Sequence, residues 1–139
     1  MPGYSGTPLP KKLGIKPKQR VMLFGLPADV RAVLREALAD CELARDGRGP
    51  VDFAMMFVKE QSGLKAEFTW LATLLAPAGV LWVAWPKKAS GVATDLNEKD
   101  VRRIGLAAGL VDVKVCAVSE VWSGLKFVRR VKDRKILQA

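Results

Sequence analysis

Val80-Leu81-Trp82-Val83-Ala84-Trp85 is a run of six apolar residues bounded by Pro77-Ala78-Gly79 on one side and Pro86-Lys87-Lys88 on the other. So short a run, rich in Val and Trp and set between breakers, reads as a strand buried on both faces; a face in contact with water would show as polar alternation. Upstream, Leu64, Phe68, Leu71 and Leu75 keep a helical spacing over Ser62 to Ala76, and Pro77-Ala78-Gly79 is expected to end that helix. Val51 to Val58 is another buried-strand candidate. The turn Asp46-Gly47-Arg48-Gly49-Pro50 separates it from a weak strand over Cys41 to Arg45. Further back, Val30, Val33, Leu34, Ala37 and Leu38 recur at i, i+3, i+4, i+7 and i+8, which predicts an amphipathic helix. It follows the strand Val21-Met22-Leu23-Phe24 after the loop Gly25-Leu26-Pro27.

Downstream of the central strand, Asn97 is placed to cap a third helix, with Asp100 three residues on and Leu96 able to staple to Val101. Gly109 is its stop. Leu110 to Val118 and Val121 to Val131 then read as two strands joined through Ser119 and Glu120. So short a link forces an antiparallel pair, because a parallel connection needs a dozen or more residues. The order strand, helix, weak strand, strand, helix, strand, helix, strand, strand predicts an α/β fold: a single three-layer, mostly parallel twisted sheet with a C-terminal antiparallel hairpin. The domain spans 20–131, between a basic N-terminal lead-in (1–19) without a regular element and a basic C-terminal tail (132–139). A chain of 139 residues is long enough to bury roughly two thirds of its surface without a staple.

Composition narrows the chemistry. Histidine is absent, which removes the commonest general base and the commonest metal ligand. Cys41 and Cys116 stand apart in apolar stretches with no ligand spacing, so neither a disulfide framework nor a metal site is expected. No serine sits in a GxSxG context and no carboxylates pair at a diagnostic spacing, so no catalytic residue is assigned. The N-terminus has no apolar core of a signal sequence and no run reaches the roughly 20 residues that span a bilayer, so a cytoplasmic protein without a membrane partner is expected. The formal charge of +9 belongs to the ends: residues 1–20 carry five basic groups and no acid, residues 125–139 six basic groups and one acid, and the body is nearly neutral.

Two resemblances accompany this reading. Leu13-Gly14-Ile15-Lys16-Pro17-Lys18-Gln19-Arg20-Val21-Met22-Leu23 looks like the entry to the first strand of class I S-adenosylmethionine-dependent methyltransferases. The helix from Phe68, the passage Leu75-Ala76-Pro77-Ala78-Gly79-Val80 and the final hairpin also resemble that family, implying a reduced Rossmann-like, methyltransferase-like scaffold. More specifically, three stretches resemble a bacterial family of small proteins known only as domain of unknown function 3052. They are Gly3-Tyr4-Ser5-Gly6-Thr7-Pro8-Leu9 with Lys11-Lys12-Leu13-Gly14-Ile15, Trp85-Pro86-Lys87-Lys88-Ala89-Ser90, and Val115-Cys116-Ala117-Val118 with Val121-Trp122-Ser123-Gly124-Leu125. That likeness implies a fold and no activity.

A nucleotide or S-adenosylmethionine site needs glycines after the first strand so that backbone can approach the ligand. Phe24-Gly25-Leu26-Pro27-Ala28-Asp29 offers one glycine and a proline without an N–H, so no cofactor is expected and S-adenosylmethionine is disfavoured. Asp46 lies at the spacing of a ribose-binding acid but in a surface turn. The better candidate is the loop beyond the strongest strand, where Lys87, Lys88 and Ser90 suit an anion, as open α/β sheets bind ligands at the carboxyl ends of their strands. Ser5, Thr7, Lys11 and Lys12 join them if the lead-in runs back across the sheet. Trp70, Trp82, Trp85 and Trp122 read as core or edge packing. The function expected is a non-catalytic module for an anionic or nucleotide-like small ligand or a partner. An enzyme acting on a phosphorylated or nucleotide-like substrate and a degenerate methyltransferase are the alternatives. The basic ends add weak, non-specific, salt-sensitive nucleic-acid adhesion, and the oligomeric state is left open.

Overall fold

The computed structural model describes residues 6–138, with side chains as far as Arg134. The chain runs α1 (Leu9–Leu13), β1 (Arg20–Phe24), α2 (Ala28–Ala39), β2 (Glu42–Leu43), β3 (Val51–Phe57), α3 (Gln61–Leu74), β4 (Leu75–Pro86), a 3₁₀ turn (Lys88–Ser90), α4 (Glu98–Ala107), β5 (Leu110–Ala117), β6 (Trp122–Arg129) and α5 (Val131–Gln138). The strands form one six-stranded sheet in the order β2-β1-β3-β4-β6-β5. β2, β1, β3 and β4 are parallel, and β6 runs antiparallel to both β4 and β5.

Each strand alternates its side chains between two cores. Phe53, Met55, Trp82 and Ala84 face one side, beneath Leu9 and Leu13 of α1 and Val30 and Leu34 of α2. Ala54, Met56, Leu81 and Val83 face the other, beneath Leu64, Phe68 and Leu71 of α3 and Val101 and Ile104 of α4. Trp82 and Trp85 thus lie on opposite faces, and the three-layer α/β architecture expected from the element order is the one observed. The helix-capping reading of Asn97 holds in detail: its side chain accepts a 2.8 Å hydrogen bond from the Asp100 N–H, with Leu96 and Val101 both buried behind it.

β2 is shorter than the expected Cys41–Arg45 and β6 ends at Arg129 before Val131, and three further differences from the sequence reading bear on the site. The lead-in contains α1, which prolines helped to hide: Pro8 precedes the first turn and Pro10 lies within it, where a missing N–H costs little. Leu9 and Leu13, one turn apart, are buried on the sheet, and Gly14 ends the helix at φ 84°. The carbonyl of Leu13 accepts from the buried Trp82 Nε1 at 2.8 Å, tying α1 to the centre of β4. Second, α3 stops at Leu74 and passes directly into β4, so Pro77-Ala78-Gly79 lies inside the strand span as an irregularity between the Val51–Leu75 and Phe53–Val80 pairs. Arg129 of β6 completes that junction, donating from Nη2 to the carbonyls of Ala72 (2.6 Å) and Leu75 (3.0 Å). Third, the tail forms α5, whose charged sequence and exposed Val131 give no apolar stripe among its described side chains. Among the described residues no helix is long and apolar enough to cross a membrane.

Candidate ligand site at the carboxyl edge

The chain passes from β1 to β2 on one side and then to β3 on the other, so strand order reverses between β1 and β3. Such a reversal leaves a crevice, because the connections leave the two carboxyl ends in opposite directions. A crevice of about 560 Å³ lies there. Gly25 and Pro27 after β1, Phe57 and Val58 at the end of β3, and Trp122 of β6 form its walls, while Lys59, Glu60, Ser62 and Gly63 bring its polar groups. Phe57 and Trp122 meet edge to face with centroids 5.1 Å apart.

The rim is a helix start held from outside. The Gln61 N–H donates to Asp95 Oδ1 at 2.7 Å, its Nε2 to the Asp95 carbonyl at 2.9 Å, and Thr94 Oγ1 to the Lys59 carbonyl at 2.6 Å. This bracing fixes the Lys59–Gln61 corner without using the next two residues. Ser62 and Gly63 stand in the first turn of α3, where backbone N–H groups have no carbonyl one turn back and the helix end favours negative charge. Glu60, at the N-cap, makes no side-chain capping bond.

The loop after β1 is closed rather than open. Gly25 has φ 65°, and a Cβ built on it would lie 2.8 Å from the Phe57 carbonyl oxygen. Glycine is therefore required by the neighbouring strand. Leu26 packs against the core formed with α2, and Pro27 is the N-cap of α2. Asp46 is turned away from the crevice: it pairs at 2.7 Å with Arg20, the first residue of β1. A hydrogen bond from the Arg48 N–H, with the Arg20 charge beside it, holds the Asp46 carboxyl below its ordinary pKa.

Of the ligand-binding candidates read from the sequence, Thr7, Lys11, Lys12, Lys87, Lys88 and Ser90 do not line this crevice. Lys87 and exposed Lys88 do stand at the same edge, one step beyond Pro86, the partner of Trp122. Lys87 donates its backbone N–H to the Val121 carbonyl at 2.7 Å. Ser90 Oγ is engaged within its own turn, donating to the Lys87 carbonyl and accepting from the Val92 N–H. Lys11 is exposed on α1, Lys12 donates to the Ala117 carbonyl at 3.1 Å, Thr7 is half-buried, and Ser5 lies outside the described residues. The start of α1 instead helps line a separate groove of about 850 Å³ whose ionisable groups are Asp29, Glu36 and Glu120, opposite in charge to the expected anion site. Both cysteines are free and half-buried, with burial raising their thiol pKa values.

The residues missed in the sequence carry a modest signal. Gln61-Ser62-Gly63 opens a helix directly after a strong strand, but nothing local shows that β3 rather than β4 borders the reversal.

The fold is shared with solved methyltransferases at low sequence identity. Magnesium protoporphyrin IX methyltransferase from Synechocystis PCC 6803, solved with bound SAH, superposes with a TM-score of 0.58 and 14% identity over 87% of this chain and 78% of that one. For precorrin-6y C5,15-methyltransferase from Geobacter metallireducens GS-15 the values are 0.57 and 10% over 88% and 86%. A putative methyltransferase from Thermoplasma acidophilum gives 0.56 and 8% over 84% and 70%. No curated protein matches the chain by sequence. The model of the family described as "Protein of unknown function (DUF3052)" matches residues 10–131, most of the chain, and the chain belongs to that family.

Proposed function

We propose that the chain is a binding module for a small anionic or nucleotide-like molecule, seated in the carboxyl-edge crevice between β1 and β3. The observation that carries this reading is the coincidence of the strand-order reversal, a crevice of about 560 Å³ and the open first turn of α3 at one place. Ligand pockets of a few hundred Å³ with apolar walls and few polar groups are the common form. Phe57, Val58 and Trp122 offer the apolar wall. Lys59 and the N–H groups of Ser62 and Gly63 suit the anion, and Glu60 a ligand hydroxyl or amine. Lys87 and Lys88 add positive charge at the same edge.

The loop after β1 and the acid after β2 do not fit S-adenosylmethionine, which needs close backbone approach and an acid free to hold its ribose. Gly25 serves its approach to Phe57, Leu26 and Pro27 follow it, and Asp46 is held by Arg20. The likeness to methyltransferases favours a second reading, a degenerate member of that fold that retains a cofactor-sized crevice.

Calorimetry of the full chain against adenosine 5′-monophosphate, inorganic phosphate and S-adenosylmethionine separates the two. A one-site isotherm is expected with the monophosphate. It weakens about tenfold in Lys59→Ala and in Ser62→Pro, which removes one first-turn N–H that has no partner within the helix. A clear isotherm with S-adenosylmethionine, insensitive to both changes, contradicts the anion reading.

A further inference from the structure

A second pocket, of about 500 Å³, opens on the other side of Gly25, the one lining residue it shares with the crevice. It exists because β2 is short. The Arg45 N–H folds back onto the Leu43 carbonyl at 3.1 Å, and Asp46 is drawn to Arg20, so the chain leaves β1 after two paired positions. β1 continues to Phe24 without that neighbour, and the space beside its last residues is the pocket.

One wall is aromatic. Trp70 of α3 meets Phe24 edge to face at 5.8 Å, yet 40% of Trp70 remains exposed, the highest value among the tryptophans. The sequence reading of Trp70 as packing thus accounts for only part of it. The polar wall holds Arg31 of α2 and Arg45 after β2, and among the described residues no carboxylate lines the pocket. Neither guanidinium has an ion pair or side-chain hydrogen bond among the described residues, whereas Arg20, Arg102 and Arg103 are each paired to acids. A guanidinium's planar fork matches carboxylate and phosphate oxygens, and an exposed indole gives a ring a surface to stack on.

We propose that this pocket binds a planar aromatic ring bearing a phosphate or carboxylate, the ring against Trp70 and Phe24 and the anion held by Arg31 and Arg45. The inference stands independently of the crevice. A simple anion gains only the arginines and an uncharged ring only the wall, so the pocket selects molecules that carry both.

The four tryptophans allow a direct test by ¹⁹F NMR of the full chain labelled with 5-fluorotryptophan, with signals assigned through Trp70→Phe and Trp122→Phe. Trp70 reports this pocket and Trp122 the crevice, while buried Trp82 and Trp85 report the fold. Adenosine 5′-monophosphate or benzoate is expected to move the Trp70 signal saturably, and adenosine and inorganic phosphate far less. Response to the monophosphate alone identifies the phosphate class; response to benzoate alone identifies the carboxylate class. In Arg31→Gln with Arg45→Gln, affinity is expected to fall roughly tenfold or more with the Trp82 and Trp85 signals in place. A Trp70 signal unmoved by both probes, or a shift that survives the double change, overturns the proposal. Movement of Trp122 alone overturns it too, while supporting the crevice.

Discussion

The two ends of the β1–β2 pair treat their charges differently. At the amino end Arg20 is saturated: it bonds Glu42 Oε2 at 2.8 Å, Asp46 Oδ1 at 2.7 Å and the Arg48 carbonyl, and its own N–H donates to Asp52 Oδ2. At the carboxyl end Arg31, Arg45 and Lys59 line cavities, and none has an ion pair among the described residues. Both ends carry arginine, so residue type alone would not separate them. Partnership does. A cation whose donors are already engaged holds the fold, and one that lines a cavity without an ion pair is available to a ligand.

The sharpest challenge to this contrast is Gly25→Ala. It forces a side chain into φ 65° and toward the Phe57 carbonyl, and a cost of about 2–3 kcal/mol is expected in chemical denaturation. A variant as stable as the parent shows that the glycine is not required by the sheet. Its presence at the crevice then speaks for a ligand instead. A smaller effect is expected from comparing Arg20→Ala with the Arg31→Ala, Arg45→Ala double change. The first should lower the thermal midpoint, because it leaves Glu42 and Asp46 without the guanidinium that pairs them, while the backbone N–H to Asp52 stays in place. The second should stay within roughly 0.5 kcal/mol of the parent, as surface changes without partners do. Equal losses would erase the distinction between the two ends.

The smallest expected effect is acid sensitivity. Arg102's hydrogen bond holds the Asp112 carboxyl below its ordinary pKa, as the Arg48 N–H and Arg20 do for Asp46. A carboxylate depressed in the folded state contributes stability above its unfolded pKa of about 3.9, and that contribution is lost as pH falls through the lower folded value. Stability is therefore expected to decline below about pH 4, with a shallower decline in Asp112→Asn. Both acids are solvent-accessible, so the change is modest. An identical acid profile in parent and variant removes Asp112 from the account.

Much of the fold was legible because its signals are local and redundant. Val80 to Trp85 is continuous and apolar, Asn97 sits where its capping bond forms, and the Ser119-Glu120 link is too short for any but an antiparallel pair. α1 was illegible because Pro8 and Pro10 read as breakers unless their first-turn positions are known. Arg129 counts in the sequence only as one of the basic groups of residues 125–139, although its guanidinium caps the end of α3 from a strand 57 residues away in sequence. The site was less legible still. Lys87, Lys88 and Ser90 stand out as a basic loop after the best strand, but which loops meet depends on strand order. The Gln61 to Gly63 helix start becomes important only once β3 is seen beside β1. Trp70 shows the same limit: its helical position predicts packing, and only the early departure of β2 leaves it bare.

The contrast between the two ends is tested most directly by ¹H–¹⁵N amide NMR of the full chain titrated with adenosine 5′-monophosphate. The account predicts saturable shifts at Gly25 and over Val58 to Gly63, while the amides of Arg20, Asp46 and Asp52 stay in place. Shifts centred on those amino-end residues, or none at either end at millimolar nucleotide, would contradict it.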